Sequence, residues 1–294
     1  MKVSILIITY NHEKYIGKAI DSILMQQCSF RTEIILLDDA STDNTLEIAT
    51  AKLGSTTNIS LIKNIENIGI TKNYQKGFSL CKGEFVFVLE GDDYWIDTGK
   101  LEKQVNFLES HPSHSMCFHP FIVQEGTSSI FNKSFWQNSA SSADSFSIRD
   151  LLFNEGLIAN FSVCCYRKIF LDALPADLFN HLSYDWIINM YMGHFGLLGR
   201  INEEMSVYRH TEEATWSNKP VTELLTKTYE LIPVYDKLLD YKYSNLFEQK
   251  RRMLREQLTP AENRSTFKQW VPPILLKFFK LLVPPVIIKK ISSK

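Results

Sequence analysis

The first 110 residues alternate between short, uniformly apolar runs and segments with helical spacing. The runs are residues 3–8 (VSILII), 33–37 (EIILL), 59–62 and 85–89 (FVFVL). Between and after them, residues 13–27, 71–80 and 101–109 repeat apolar positions every three or four residues, as in Tyr15, Ile16, Ala19, Ile20, Ile23 and Leu24. Strands without polar alternation are covered on both faces, and strand–helix–strand repeats wind right-handed. The pattern therefore predicts an α/β fold with a mostly parallel central sheet flanked by helices.

In such sheets ligands gather beyond the carboxyl ends of the strands. Three of the runs end in polar clusters: Thr9-Tyr10-Asn11, Asp38-Asp39 and Glu90-Gly91-Asp92-Asp93. The topology lays them along one rim. Asp92 and Asp93 suit a hard divalent cation held by one or two carboxylates plus substrate phosphates; they also make a good turn and helix cap. Asp38-Asp39 reads either as an acidic turn before a capped helix, with Asn44 and Glu47 spaced for a capping box, or as acceptors for a ribose or base N–H. The first loop, TYNHEKY, lacks glycine, and no G-x-x-x-x-G-K-[ST] is present, which argues against a Rossmann cofactor site and a P-loop. His111 and His114 lack the company a zinc site needs.

Further along, residues 116–123 and 162–166 read as strands, and residues 124–147 as a long Ser-rich loop. Residues 184–195 read as a helix, 197–201 and 205–208 as a glycine-punctuated strand pair, and residues from 221 onward as helix that Pro233 kinks or breaks.

The 294 residues are 45% hydrophobic and 22% charged with a net charge of −1, which excludes a nucleic-acid binder acting by bulk charge. Five cysteines without a C-x-x-C pair fit reduced thiols in the cytosol. The N-terminal apolar run is short for a secretory h-region and reads as a first strand. No uninterrupted apolar stretch is long enough to span a bilayer.

Taken together, VSILIITYNHEKYIGKAIDSILMQ, EIILLDDASTDNT, NIGITKNYQKGFSLCKGEFVFVLEGDDYW and YDWIINMYM with VYRHTEEATWS resemble family 2 glycosyltransferases. The resemblance covers residues 1–217. It implies a GT-A fold, with a nucleotide-binding half at about 1–110 and an acceptor half at about 111–217, and a helical C-terminal extension over 218–294. It also implies inverting transfer of one sugar from a nucleotide-sugar donor, a UDP-sugar in the first instance, to a glycan or lipid-linked hydroxyl. By the same resemblance Thr9, Tyr10, Asn11, Asp38, Asp39, Lys72 and Asn73 line the nucleotide. Asp92 faces the ribose, and Asp93, with Asp92, faces Mn²⁺ or Mg²⁺ and the diphosphate. Asp185 matches the general base, although a helix N-cap is its plain reading from sequence. Glu90 stands where many members have Asp, leaving its role open. In VYRHT, His210 is one position early for the metal-reaching histidine, so His210 or Arg209 is left to handle the anion. Trp95 and Trp216 fall at motif positions, as pocket walls or as packing.

The processive synthases of the family carry Q-x-x-R-W and spanning helices, neither of which this sequence shows. Two alternatives are a nucleotidyltransferase of similar topology and a catalytically inactive membrane-bound subunit. Residues 271–291 interleave Lys277, Lys280, Lys289 and Lys290 with large apolar residues. Such a segment suits the interface of an anionic bilayer, at the cytoplasmic face of the cell membrane, or packing onto protein.

Overall fold

Residues 3–8 are apolar throughout because the strand they form is covered on both sides. In the computed structural model, β1 (Val3–Thr9) is buried along its whole length, as is most of β2 (Thr32–Asp38) and β4 (Phe85–Glu90). The structure describes residues 1–54, 56–125, 131–132, 144–154, 156–158, 160–181, 185–210 and 219–259. Trp216, the 271–291 segment and most of the Ser-rich stretch lie outside them.

The chain divides into two compact units, Met1–Arg209 and His210–Lys294. In the first, β1, β2, β3 (Ile59–Lys63) and β4 form a parallel block in the order β3-β2-β1-β4. The sheet continues through β10 (Cys165–Arg167), β6 (His114–Phe118), β11 (Leu197–Arg200) and β9 (Ser145–Phe146). β10 runs antiparallel to β4 and β6, and β9 antiparallel to β11. A second sheet is ordered β5-β12-β7-β8, from β5 (Tyr94–Trp95), β7 (Ile122–Glu125), β8 (Phe131–Asn132) and β12 (Ser206–His210).

Helices cover the sheet with the faces their spacing requires. Helix α1 (Ile16–Leu24) buries Ile16, Ala19, Ile20 and Ile23; α3 (Ile70–Leu80) buries Asn73, Tyr74, Gly77 and Phe78. Helix α4 (Lys100–Ser110) buries Leu101, Gln104, Val105 and Leu108. Between them, α2 (Thr45–Leu53) follows β2. Helices α5 (Ile148–Phe153), α6 (Lys168–Asp172) and α7 (Asp185–Phe195) complete the unit.

Register places the three polar clusters on one level. Thr9 pairs with Asp38, Ile8 with Glu90, and Asp38 with Lys63. The hydrogen bonding runs on past the strands: Asp39 N donates to Thr9 O (2.9 Å), Gly91 N to Ile8 O (2.9 Å) and Asn64 N to Asp38 O (2.8 Å).

Several sequence expectations change. The 116–123 strand is two strands, β6 and β7, interrupted at His119-Pro120-Phe121, because proline cannot donate to a ladder. The 162–166 strand is a 3₁₀ turn (Phe161–Val163) followed by β10. The two glycine-punctuated strands are not a pair: β11 joins the large sheet and β12 the small one. The Asn44–Glu47 capping box does not form; Asn44 Nδ2 donates instead to Glu13 Oε2 at 3.0 Å. A capping box does form between Ser147 and Asp150 at the start of α5.

The second unit contains α8 (Val221–Leu238) and α9 (Ser244–Leu258). Helix α8 is not broken at Pro233. Thr228, Ile232 and Tyr235 of α8 are buried, as are Phe247, Lys250 and Leu254 of α9. Among the described residues no helix is long and apolar enough to cross a membrane.

Candidate active site

The loops after β1 and β2 lock together before any ligand arrives. Asn11 takes a left-handed backbone (φ +54°), which Asn tolerates better than most residues. Its N–H donates to Ser41 Oγ (2.9 Å) and its Oδ1 accepts from Thr42 N (2.9 Å). His12 N donates to Thr45 Oγ1 (2.7 Å) and Glu13 N to Asp43 Oδ2 (3.0 Å). Tyr10 is left 42% exposed at the rim, a ring face free for stacking.

The neighbouring acids have different tasks. Asp39 is buried with its carboxylate spent inside the protein: Oδ1 accepts from Asn64 Nδ2 (2.7 Å) and Ile68 N (3.0 Å), and Oδ2 from Gly69 N (3.0 Å). It holds the loop after β3. Asn73 belongs to the same network, accepting from Asn64 Nδ2 at 2.9 Å, and is fully buried. Asp38 differs. Its Oδ1 accepts from Ser41 N (2.9 Å), while its Oδ2 is buried with no hydrogen-bond partner among the described residues. A buried acceptor without a donor is costly unless a ligand satisfies it. Lys72 Nζ donates to Asn180 Oδ1 (2.7 Å), which ties α3 to the 3₁₀ turn at Ala176–Asn180.

The acidic turn also sorts by geometry. Asp93 is fully buried: its Oδ2 accepts from Asn160 Nδ2 and Ser162 Oγ, both at 2.7 Å, and its Oδ1 from Arg209 N at 3.0 Å. Asp92 is partly open, its side chain 22% exposed, with Oδ2 4.0 Å from His12 Nε2. Glu90 is half-buried and accepts from Tyr74 Oη at 3.1 Å. Burial and then the neighbouring carboxylates push Glu90 well above the usual carboxylate range and Asp93 to about 7. Burial also raises Asp92, against the opposing charge of Arg209. His12, lowered to about 4 chiefly by burial, stands as a neutral ring between Thr9 Oγ1 (3.2 Å) and Asp92.

Gly91 allows this packing. A Cβ there would lie 2.7 Å from both His12 Nδ1 and Thr9 Oγ1. We predict that Gly91→Ala pushes the turn off the first loop and lowers donor turnover on the order of 10²-fold. Steady-state kinetics beside a melting curve test this, and unchanged turnover counts against the packing argument.

Arg209 and Trp95 are not pocket walls. Arg209 is 6% exposed; its Nε donates to Asp92 O and its Nη2 to Tyr15 O (3.1 Å) and Asp93 O (3.2 Å). The guanidinium also lies 4.9 and 5.1 Å from the Tyr15 and Tyr94 ring centroids. It clamps the acidic turn rather than facing an anion. The antiparallel pairing of β12 with β5 (Ser206 opposite Trp95) delivers it there. Trp95 is 1% exposed, edge-on to Phe87, with Nε1 donating to Ser162 O at 3.0 Å, inside the core. His210 ends β12, half-buried.

The turn suits a divalent cation. Burial raises all three carboxyls, Asp92 and Asp93 raise Glu90 further and Asp92 raises Asp93, while the nearby guanidinium donates to backbone carbonyls. Among the described residues no group of three or more His, Cys, Asp and Glu could hold a metal alone. That donor set fits a cation completed by substrate phosphates.

Asp185 opens α7, its Oδ1 accepting from Trp186 N at 2.8 Å. Burial raises its carboxyl to about 7, and its charge bears on Glu90 and Tyr74. The start of α7 is therefore near enough to Glu90 for its charge to be felt there. Sequence reasoning assigned no task to His12, Tyr74, Asn160 or Ser162. His12 lay within a motif already singled out, whereas Asn160 and Ser162 carry no local signal.

A parallel β3-β2-β1-β4 block, continued by an antiparallel strand and with acids on its carboxyl rim, defines a GT-A glycosyltransferase fold. TarS of Staphylococcus aureus, solved in complex with UDP-GlcNAc, matches it with a TM-score of 0.65 at 20% identity, over 97% of this chain and 82% of that one. The mannosyltransferase PcManGT of Pyrobaculum calidifontis, solved with GDP-Man and Mn²⁺, matches with 0.57 at 16%, over 96% and 80%. The family model for glycosyl transferase family 2 matches residues 4–172, and the chain belongs to that family.

An uncharacterised protein of Mycobacterium tuberculosis is 34% identical over 218 residues, 73% of this chain and 60% of that protein. The match thus spans 60% of the length of that relative. The Escherichia coli protein WfaP, named as a UDP-Glc:α-D-GlcNAc-diphosphoundecaprenol β-1,3-glucosyltransferase, is 35% identical over 116 residues, 37% of this chain and 41% of that protein.

Proposed function

We propose that the protein transfers a single sugar, with inversion, from a nucleotide-diphosphate sugar to a hydroxyl of a glycan or lipid-linked acceptor in surface polysaccharide synthesis. One observation supports the reading: Asp92 in the acidic turn is a partly open carboxylate, and Asp185 at the start of α7 is a second carboxyl, raised by burial to about 7. Inverting transfer needs those two functions separated, one at the leaving group and one at the attacking hydroxyl.

On this reading Tyr10 stacks on the base and Asp38 Oδ2 accepts a base N–H, which would satisfy its missing bond. Thr9 and His12 hold the turn against the first loop. Asp92, with Glu90 beside it, would hold Mn²⁺ or Mg²⁺. The cation supplies charge neutralisation for the departing diphosphate. Asp185 takes the acceptor hydroxyl's proton as that oxygen attacks the anomeric carbon opposite the diphosphate. The carbon–oxygen bond to the diphosphate breaks, leaving a glycoside of opposite configuration and a nucleoside diphosphate.

A UDP-sugar is the favoured donor because both TarS and WfaP are named with one. A lipid-linked acceptor has support from the WfaP name and from residues 271–291, whose lysines and apolar residues suit the cytoplasmic face of the cell membrane. A panel of nucleotide-sugars titrated with and without Mn²⁺ is the direct test. We expect binding and slow hydrolysis of at least one UDP-sugar. Failure of every donor to bind would leave only a scaffold role.

A further inference from the structure

Charge is distributed very unevenly along this near-neutral chain. Residues 244–294 carry eleven Lys and Arg against three Asp and Glu, a net +8, so residues 1–243 carry a net −9. The described part of that basic end is α9, which carries Arg251, Arg252 and Arg255 on one face, two of them held against Tyr229. The Arg251 guanidinium lies over the Tyr229 ring at 4.7 Å, and Arg255 Nη2 donates to Tyr229 Oη at 3.3 Å. Arg251 Nε is buried with no hydrogen-bond partner among the described residues. Together with Glu248 the three arginines line a depression of about 220 Å³.

We propose that this arginine face of α9 docks on the phosphates of an anionic phospholipid bilayer. Tyr229 fixes two guanidiniums in advance, so little side-chain freedom is lost when they meet phosphate. The lysine-punctuated apolar residues downstream, at 271–291, suit a bilayer interface, which rewards apolar contact in a way that a nucleic-acid backbone does not. The net −9 of the remaining chain is repelled by the same surface, so only the basic end approaches it. This inference does not depend on the assignment of the active site.

The test uses the full chain and vesicles of phosphatidylcholine with and without phosphatidylglycerol. Wild-type protein is expected to co-sediment with the anionic vesicles only, and less as salt rises. Arg251→Gln, Arg252→Gln and Arg255→Gln together should lower the partition on the order of 100-fold, about five-fold per charge. The corresponding triple lysine variant, which keeps the charge but not the stacking on Tyr229, should retain most but not all of the binding, and both should hydrolyse donor at the wild-type rate. The proposal is overturned if the Gln variant binds as wild type or the Lys variant loses as much as the Gln variant. Equal binding to neutral vesicles, or tighter binding to duplex DNA at the same ionic strength, overturns it too.

Discussion

Asp185→Asn is expected to bind donor as the wild type does and to transfer sugar roughly 10²–10⁴-fold more slowly, the usual worth of a positioned base. Amide and carboxylate are nearly isosteric, and the Asn side-chain oxygen can still accept from Trp186 N at the start of α7. On the proposed reading, the proton acceptor alone is removed. Calorimetric donor binding beside a transfer assay separates the two effects. Transfer retained within a few-fold would take Asp185 out of the base role.

The raised carboxyl gives the same residue two pH signatures. The wild-type transfer rate should climb with pH and level off above about 7, where Asp185 is ionised, while the Asn variant should lack that limb. For stability the sign is opposite. The folded state holds this proton from the ordinary 3.8 up to about 7, whereas the unfolded chain releases it near 3.8. On this group's account stability falls as pH rises through that window. Asp185→Asn should therefore melt higher than wild type at pH above 7 and show no such gain below 4.

Much of this site was legible in the sequence because parallel strands end level. Runs at 3–8, 33–37 and 85–89 locate β1, β2 and β4, and the register then puts Thr9, Asp38 and Glu90 on one rim. Local pattern could not say which carboxylates stay open. Asp38 and Asp39 are adjacent and chemically alike. Only the loop after β3, folding back with Asn64, Ile68 and Gly69, consumes Asp39 and leaves Asp38 Oδ2 bare. Nor could spacing foresee that Tyr94-Trp95 would pair with Ser206-Val207, which turns Arg209 inward onto the acidic turn. The second sheet joins strands more than 100 residues apart, and its two-residue β5 is too short for periodicity to reveal.

The acidic turn yields the other large expected effect. The resemblance assigned Asp93 to the cation and diphosphate, yet in the fold its carboxylate receives Asn160 Nδ2, Ser162 Oγ and Arg209 N, and none of it is exposed. Asp93→Ala strands all three donors in the interior and frees β12 and the Phe161–Val163 turn from the acidic turn. We predict a loss of about 3–5 kcal/mol of stability, since three buried donors lose their acceptor at about 1–3 kcal/mol each. Asp92→Asn should leave the melting temperature within a few degrees of wild type, because among the described residues the side-chain partner seen for that carboxylate is His12, at 4.0 Å. Its loss should fall instead on Mn²⁺-dependent donor binding. Both variants would be inactive in an end-point assay, so melting curves and donor titrations across Mn²⁺ concentration are the discriminating measurements. If Asp93→Ala folds as stably as wild type and loses only metal-dependent binding, the two aspartates exchange roles. Asp93 would then have to release its three partners on substrate binding, and the Arg209 clamp would be a moving part of the site.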